Sequence, residues 1–481
     1  MADTETRLPE EKHPPAGCAK LTREEEAKLA LENTAVSPAV ARVLVIFFVV
    51  TIFSVPVVQH VAQAQRYLAA KRDGAADGVR LLPEAYDVFG LLPSIAELKS
   101  AHSLRQAWDL LPIPSEIRSY ESALEDSSVV SGWIRPRAQY LLARLGGVGN
   151  EQAYLGRDGW LYYRPEVDYL THPGFLQPSS LAARAMQDAD NGSAVQPNPL
   201  PAIIQFRRQL AARGIDLVLV PTPCKPMLLP EKLTRRYKPS AQPLQNPSYP
   251  AFLRALRRAG VKVFDPTHLI ANAARKTATS PYLRTDTHWT PEAMDLAAAG
   301  LAAFVQRQCA LPPRKPVTYV RRPVRVSGVG DIARMLSLPP GQRMYPPQTV
   351  VIRQVFTQDG RPWQPDRGAD ILLLGDSFSN IYSLGGMGWG TNAGLPQQLG
   401  FHIQRPIDRI VINAGGSYTT RERLREELAR GRDRLRGKRL VIWQFAMRDL
   451  LSGDWRVIDL PTASHRSTMA SATAPAAADK E

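Results

Sequence analysis

Cysteine is scarce. Only Cys18, Cys224 and Cys309 occur in 481 residues. An odd number at wide spacing builds neither a disulfide framework nor a CxxC metal pattern. Cys224 and Cys309 could pair in an oxidising compartment, but as lone thiols they fit better as small buried hydrophobes. The eight histidines are scattered too, so no His/Cys/carboxylate cluster points to a metal, and nothing asks for a cofactor. No GxxxxGK[ST] phosphate loop is present. The glycines of "SLGGMGWG" at 383–390 follow a helix-like stretch rather than a strand, which excludes the dinucleotide fingerprint and leaves a mobile, aromatic-bearing loop. The net charge is +15, yet the basic residues are spread out and no zinc-finger, RRM or basic-zipper pattern accompanies them. Nucleic acid is therefore not the expected partner. An anionic polymer would suit the charge.

Charge itself is missing from Val43 to Gln65. The core "VLVIFFVVTIFSVPVV" at 43–58, extended to about Ala62, reaches the roughly 20 residues a spanning helix needs. Pro56 is tolerable near one end of such a helix. "AQA" at 62–64 has the form of a signal-peptide cleavage site, but the largely polar stretch of 42 residues before the segment is long for a leader. An uncleaved signal anchor is the preferred reading. It would place the main domain outside the inner membrane.

The chain is too long for one core. Residues 1–42 read as a cytoplasmic tail, 43–62 as the anchor, 63–150 as a helical neck, 151–457 as the main domain and 458–481 as a disordered Ala/Ser/Thr-rich tail. Within the main domain, apolar runs at 216–221, 261–265, 369–375, 409–415 and 439–445 alternate with helical stretches at 201–213, 251–259, 291–308 and 420–435. That alternation predicts an α/β domain with a parallel sheet covered on both faces. Such sheets bind ligands beyond the carboxyl ends of their strands.

Two motifs fall at such ends. "ILLLGDSFSN" at 371–380 is a buried strand, a sharp turn at Gly375 and a polar turn opening a helix. Ser377 would lie beside the unsatisfied N–H groups of that helix start, which stabilise an oxyanion. Simple helix capping by Ser377 or Ser379 would explain the same residues. A nucleophilic serine needs a base. "TDTHWT" at 285–290 offers one, because residues i and i+2 of an extended stretch point the same way. Asp286 could then fix the tautomer of His288 and leave its other nitrogen free to take a proton. Thr290-Pro291-Glu292 then starts a helix.

With these pieces in order, "GRDGWLYY", "VPTPCKPMLLPEKL", "RTDTHWT", "LLLGDSFS" and "VIWQFAMRDL", the chain resembles the alginate O-acetyltransferase AlgJ/AlgX-type family over roughly residues 115–455. The resemblance implies an SGNH-hydrolase-like three-layer α/β/α fold with a central, mostly parallel sheet. It implies Ser377, His288 and Asp286 as catalytic residues, and periplasmic acetylation of an exopolysaccharide. It also implies a multipass membrane acyltransferase of the MBOAT type as acetyl supplier. Gln444 departs from the Glu common in related sequences, and the ordinary SGNH Gly and Asn motifs are not plain. "INAGGS" at 412–417 is the expected source of further oxyanion donors, through Asn413, Gly415 or Gly416. Lys225, Trp289, Trp389 and Arg448 are candidate sugar contacts. The same residues would equally serve a carbohydrate esterase, and a non-catalytic polysaccharide-binding scaffold is the remaining alternative.

Overall fold

The computed structural model describes residues 37–75, 79–189, 195–238 and 242–461. The ends of both expected tails, with Cys18, lie outside the described residues. Two compact units divide the chain. One takes Met1–Pro112 and Glu116–Ser131, and the other Ile113–Ser115 and Gly132–Glu481.

Among the described residues, the first unit holds one helix, Pro38–Arg72, long and apolar enough to cross a membrane. Ser37 caps it and Pro56 lies inside it. Short helices follow at Val88–Leu91, Ile95–Ser100 and Leu104–Asp109. The second is closed by a capping box, in which Ser94 and Glu97 satisfy each other's backbone N–H.

After helical residues up to Gly146, the second unit forms a small antiparallel pair, β1 (Ala153–Leu155) and β2 (Leu161–Tyr163). Its centre is built from β3 (Asp216–Thr222) and β4 (Lys262–Val263). A long antiparallel hairpin, β5 (Tyr319–Gly328) with β6 (Gln348–Thr357), comes next in the chain. Then come β7 (Ile371–Gly375), β8 (Asp408–Val411) and β9 (Leu440–Ala446). The sheet order is β4-β3-β9-β7-β8 and every pairing is parallel.

Strand residues alternate strictly between two cores. Val218, Val220, Ile371, Leu373, Leu440 and Ile442 face one core, which the helices Pro291–Gln308 and Leu395–Ile403 cover. Leu217, Leu219, Leu372, Leu374, Val441 and Trp443 face the other, under Pro199–Ala211, Tyr249–Arg258 and Thr419–Ala429. This is the three-layer arrangement expected from the alternating runs, and all five expected strands enter the one sheet. Cys224 and Cys309 are buried and free. The β5–β6 hairpin was not anticipated: "YVRRPVRVSG" carries three arginines and a proline, and its strand is mostly exposed.

Candidate active site

The sharp turn after β7 depends on Gly375. A Cβ there would lie 2.4 Å from Ser379 Oγ and 3.1 Å from Gln444 Oε1. Asp376 caps the next helix, Ser377–Asn380, by accepting from Phe378 N. It also accepts from Gln444 Nε2 (2.8 Å) and Ala446 N (2.8 Å), which ties β7 to β9. Gln444 in turn accepts from Asp376 N and Ser379 Oγ and donates to Thr222 Oγ1. The amide both donates and accepts here. A glutamate here would set a second carboxylate against Asp376 and lose the amide's two donations. Phe378 N–H is given to Asp376 Oδ1 and Ser379 N–H to Asp376 O, while neither bond takes the Ser377 N–H at the helix start. Ser377 itself is 8% exposed.

The Asp-x-His segment is a closed loop, pinned where Leu283 N donates to His288 O and Thr290 N to Pro281 O. Asp286 and His288 are in direct contact: Nδ1–H donates to Asp286 Oδ1 at 2.6 Å. That bond assigns the tautomer and leaves Nε2 as the basic nitrogen. Nε2 is buried and has no hydrogen-bond partner, so no bond joins it to Ser377. The loop is nevertheless stapled to the serine's helix. Trp289 Nε1 donates to Phe378 O (3.1 Å), Tyr382 Oη donates to Trp289 O (2.7 Å), and the His288 and Phe378 rings are 4.7 Å apart.

Asp286 is held by four donors. His288 N and Nδ1 reach its Oδ1, while Asp331 N (3.0 Å) and Trp389 Nε1 (2.9 Å) reach its Oδ2. Burial would raise its pKa, but the His288 charge and these bonds outweigh it and hold the carboxyl well below the usual carboxylate range. Asp331 is a second acid at the same place. It accepts from Thr287 N (2.7 Å) and Thr287 Oγ1 (2.5 Å) and lies 3.6 Å from His288 Nδ1. Burial and the nearby Asp286 carboxylate push the Asp331 pKa up. For His288, burial disfavours the imidazolium, but the Asp286 and Asp331 charges prevail and the pKa is raised. Gly330 makes the approach possible, since a Cβ there would lie 2.0 Å from Thr285 O. Asp286, His288 and Asp331 also form a compact donor set. Their carboxylate oxygens and His288 Nδ1 are already committed to one another, to Thr287, to the Trp389 indole and to backbone N–H groups, which leaves His288 Nε2 as the free donor atom, a poor fit to a resident metal.

Under this loop lies a buried charge cluster. Lys225, fully buried, donates from Nζ to Leu161 O (2.7 Å) and Arg284 O (3.4 Å), the backbone on either side of the site. Burial, only partly offset by Glu166, lowers its pKa to about 8. Glu166 pairs with Arg448 at 2.8 Å. Burial pushes the Glu166 pKa up, against the pull of Arg448 and Lys225. The Arg448 guanidinium lies 5.3 Å from the Tyr163 ring and 5.5 Å from the Phe378 ring, at the edge of the site.

Several expected sugar contacts are corrected. Lys225, Trp289 and Trp389 are fully buried and spend their donors inside the protein, so they offer no surface to a sugar. The expected mobile loop at 383–390 delivers a fixed indole to Asp286. Arg448 keeps 12% of its side chain exposed. Among the oxyanion candidates, Gly415 is excluded as a donor because its N–H is given to Ile412 O. Gly416 is buried, and a Cβ on it would meet Asp449 Oδ2 at 2.4 Å. Asn413 is exposed and accepts from Asn380 Nδ2. Asp331 and Glu166 escaped the sequence reading. Their only signals were the glycine-flanked acid in "SGVGD" at 327–331 and an acid just after the aromatic strand.

Residues 153–447 match the family model described as the SGNH hydrolase-like domain of acetyltransferase AlgX. Among curated proteins, the Probable alginate O-acetylase AlgJ of Pseudomonas syringae pv. tomato is 30% identical over 198 residues, 41% of this chain and 44% of that protein. The Pseudomonas aeruginosa protein of the same name is 29% identical over 248 residues, 51% of this chain and 56% of its own length. The chain thus spans about half the length of the curated relatives it matches. Among solved structures, the O-acetyltransferase domain of Pseudomonas putida AlgJ aligns with a TM-score of 0.46 and 23% identity, over 66% of this chain and 99% of that one.

Proposed function

This chain belongs to the AlgX family of acetyltransferases with an SGNH hydrolase-like domain, and we propose that it moves an acetyl group through Ser377 onto hydroxyls of an exopolysaccharide. The observation that carries the reading is the Asp286–His288 pair, with its unpartnered Nε2 stapled beside the helix that Ser377 begins. Apo catalytic contacts are often open and tighten only with substrate bound.

In the first step Ser377 Oγ attacks the acetyl carbonyl and its proton passes to His288 Nε2. Ser377 N–H, at the positive end of its helix, holds the oxyanion. As the carbon–leaving-group bond breaks, His288 returns the proton to the leaving group, giving an acetyl-serine. In the second step His288 takes the proton of a sugar hydroxyl, whose oxygen attacks the acetyl carbon. The bond to Ser377 Oγ breaks and the serine recovers its proton. Asp286 and Asp331 stabilise the imidazolium in both steps. The helix Pro38–Arg72 serves as a single-pass inner-membrane anchor, with the catalytic unit in the periplasm and a multipass acyltransferase supplying acetyl groups. Arg448 and Tyr163 border the acceptor's approach, and the net charge of +15 suits an anionic polymer.

The test offers the full chain in detergent an activated acetyl ester together with oligosaccharides. Acetylated sugar is expected by mass spectrometry, falling at least about a thousandfold in Ser377→Ala. Acetate release that no sugar diverts would mean an esterase. Ser377-independent behaviour would mean a scaffold.

A further inference from the structure

The neck presents apolar side chains to solvent in a regular way. In Val88–Leu91 and the residue after it, Phe89 and Leu92 are exposed at i, i+3; in Ile95–Ser100, Ile95 and Leu98 repeat the spacing. In Leu104–Asp109, Leu104 (92% exposed) and Trp108 (73%) stand at i, i+4. Residues three or four apart share one helix face, so each short helix turns an apolar pair outward. Among the described residues of these three helices, none is assigned to a buried core. Such a surface is too apolar to be left in water.

Hydrogen bonds to the anchor helix fix the level of the segments on either side of this surface. Gln59 Nε2 donates to Ser127 O (3.1 Å) and Gln59 Oε1 accepts from Val129 N (2.9 Å). His60 Nε2 is bonded to Tyr86 Oη (2.9 Å), and Gln63 Nε2 donates to Arg80 O (2.6 Å). The first polar residues after the apolar run 43–58 are therefore claimed by the neck. At about 1.5 Å per residue, 43–62 spans roughly 30 Å, the thickness of a hydrocarbon core. The neck thus meets the helix where it leaves the hydrocarbon. Apolar faces with Tyr and Trp at that depth match the lipid–water boundary, where amphipathic rings and short amphipathic helices partition.

We propose that the neck between Leu81 and Leu111 is a membrane-interface module, lying on the headgroup region of the bilayer its own anchor crosses. The inference builds on the reading of Pro38–Arg72 as a spanning helix, and it is independent of acetyl transfer.

The test places the full chain in nanodiscs whose phospholipids carry bromine near the top or near the end of the acyl chain. Subtracting the spectrum of Trp108→Phe isolates the emission of Trp108, an exposed residue whose replacement leaves the core untouched. Shallow bromine is expected to remove most of that emission, and deep bromine little of it. Emission indifferent to both lipids overturns the proposal. Phe53→Trp, in mid-span, checks the anchor separately. If it is quenched by deep bromine while Trp108 is not, the anchor stands and the interface module falls; if neither is quenched, both fall. Trp108 emission that ignores lipid but shifts on adding a membrane acyltransferase would assign the surface to a protein partner and likewise overturn the proposal.

Discussion

The two compact units handle the same problem in opposite ways. The larger unit buries charge: Lys225, Glu166 and Asp286 are fully inside, and each finds its partners within the chain. The neck exposes apolar groups, with Leu104 and Trp108 almost bare. A buried charge is tolerable only when paired and hydrogen-bonded. An exposed apolar face is tolerable only when something outside the chain covers it. The larger unit thus contains the partners of its buried groups, while the neck leaves its apolar groups uncovered by the chain.

The comparison breaks most visibly where one member of a buried pair is removed. Glu166→Ala leaves the Arg448 charge uncompensated and should cost about 3–5 kcal/mol, read as a lower midpoint in urea denaturation. An unchanged midpoint would mean that the cluster is hydrated and not a structural floor. Trp389→Phe keeps the ring in its seat but removes the donor to Asp286 Oδ2. The loss of one bond to a charged group, about 1.5–3 kcal/mol, should lower kcat by roughly tenfold or more with little change in KM. Equal losses in a variant that fails to fold would be exposed by its near-UV circular dichroism.

The smallest effect concerns pH. His288 acts as a base only when neutral, and its pKa is raised by Asp286 and Asp331 against burial. Activity should therefore climb with pH through a value above that of an ordinary histidine. Asp331→Asn removes one of the two charges, so the acid limb of kcat/KM should move to lower pH, toward the ordinary value. A limb that stays in place would reduce Asp331 to a structural tie for Thr287.

Much of the fold was legible because it is written in local periodicity. The near-continuous apolar runs of β3, β7 and β9 follow from burial on both faces, and Thr290-Pro291 marks a helix start by its own capping chemistry. The β5–β6 hairpin was illegible because its arginines spend their charge at the surface and on distant acids such as Asp295. Trp289 and Trp389 show the limit at the site. An aromatic in a polar loop reads as a sugar platform, yet both indoles are turned inward by a single hydrogen bond each.

The sequence by itself determined the apolar span, the order of strands and helices, and the i, i+2 pair of Asp286 and His288. Each of these is a contact or pattern within a few residues, where chain geometry leaves little choice. Tertiary structure alone decided what surrounds that pair. Asp331 reaches Asp286 from 45 residues away and Trp389 from 103, while Glu166 meets Arg448 across 282. No local period encodes such meetings. They exist because the parallel sheet brings the carboxyl ends of distant strands to one edge, and the polar groups gathered there must satisfy one another once water is gone.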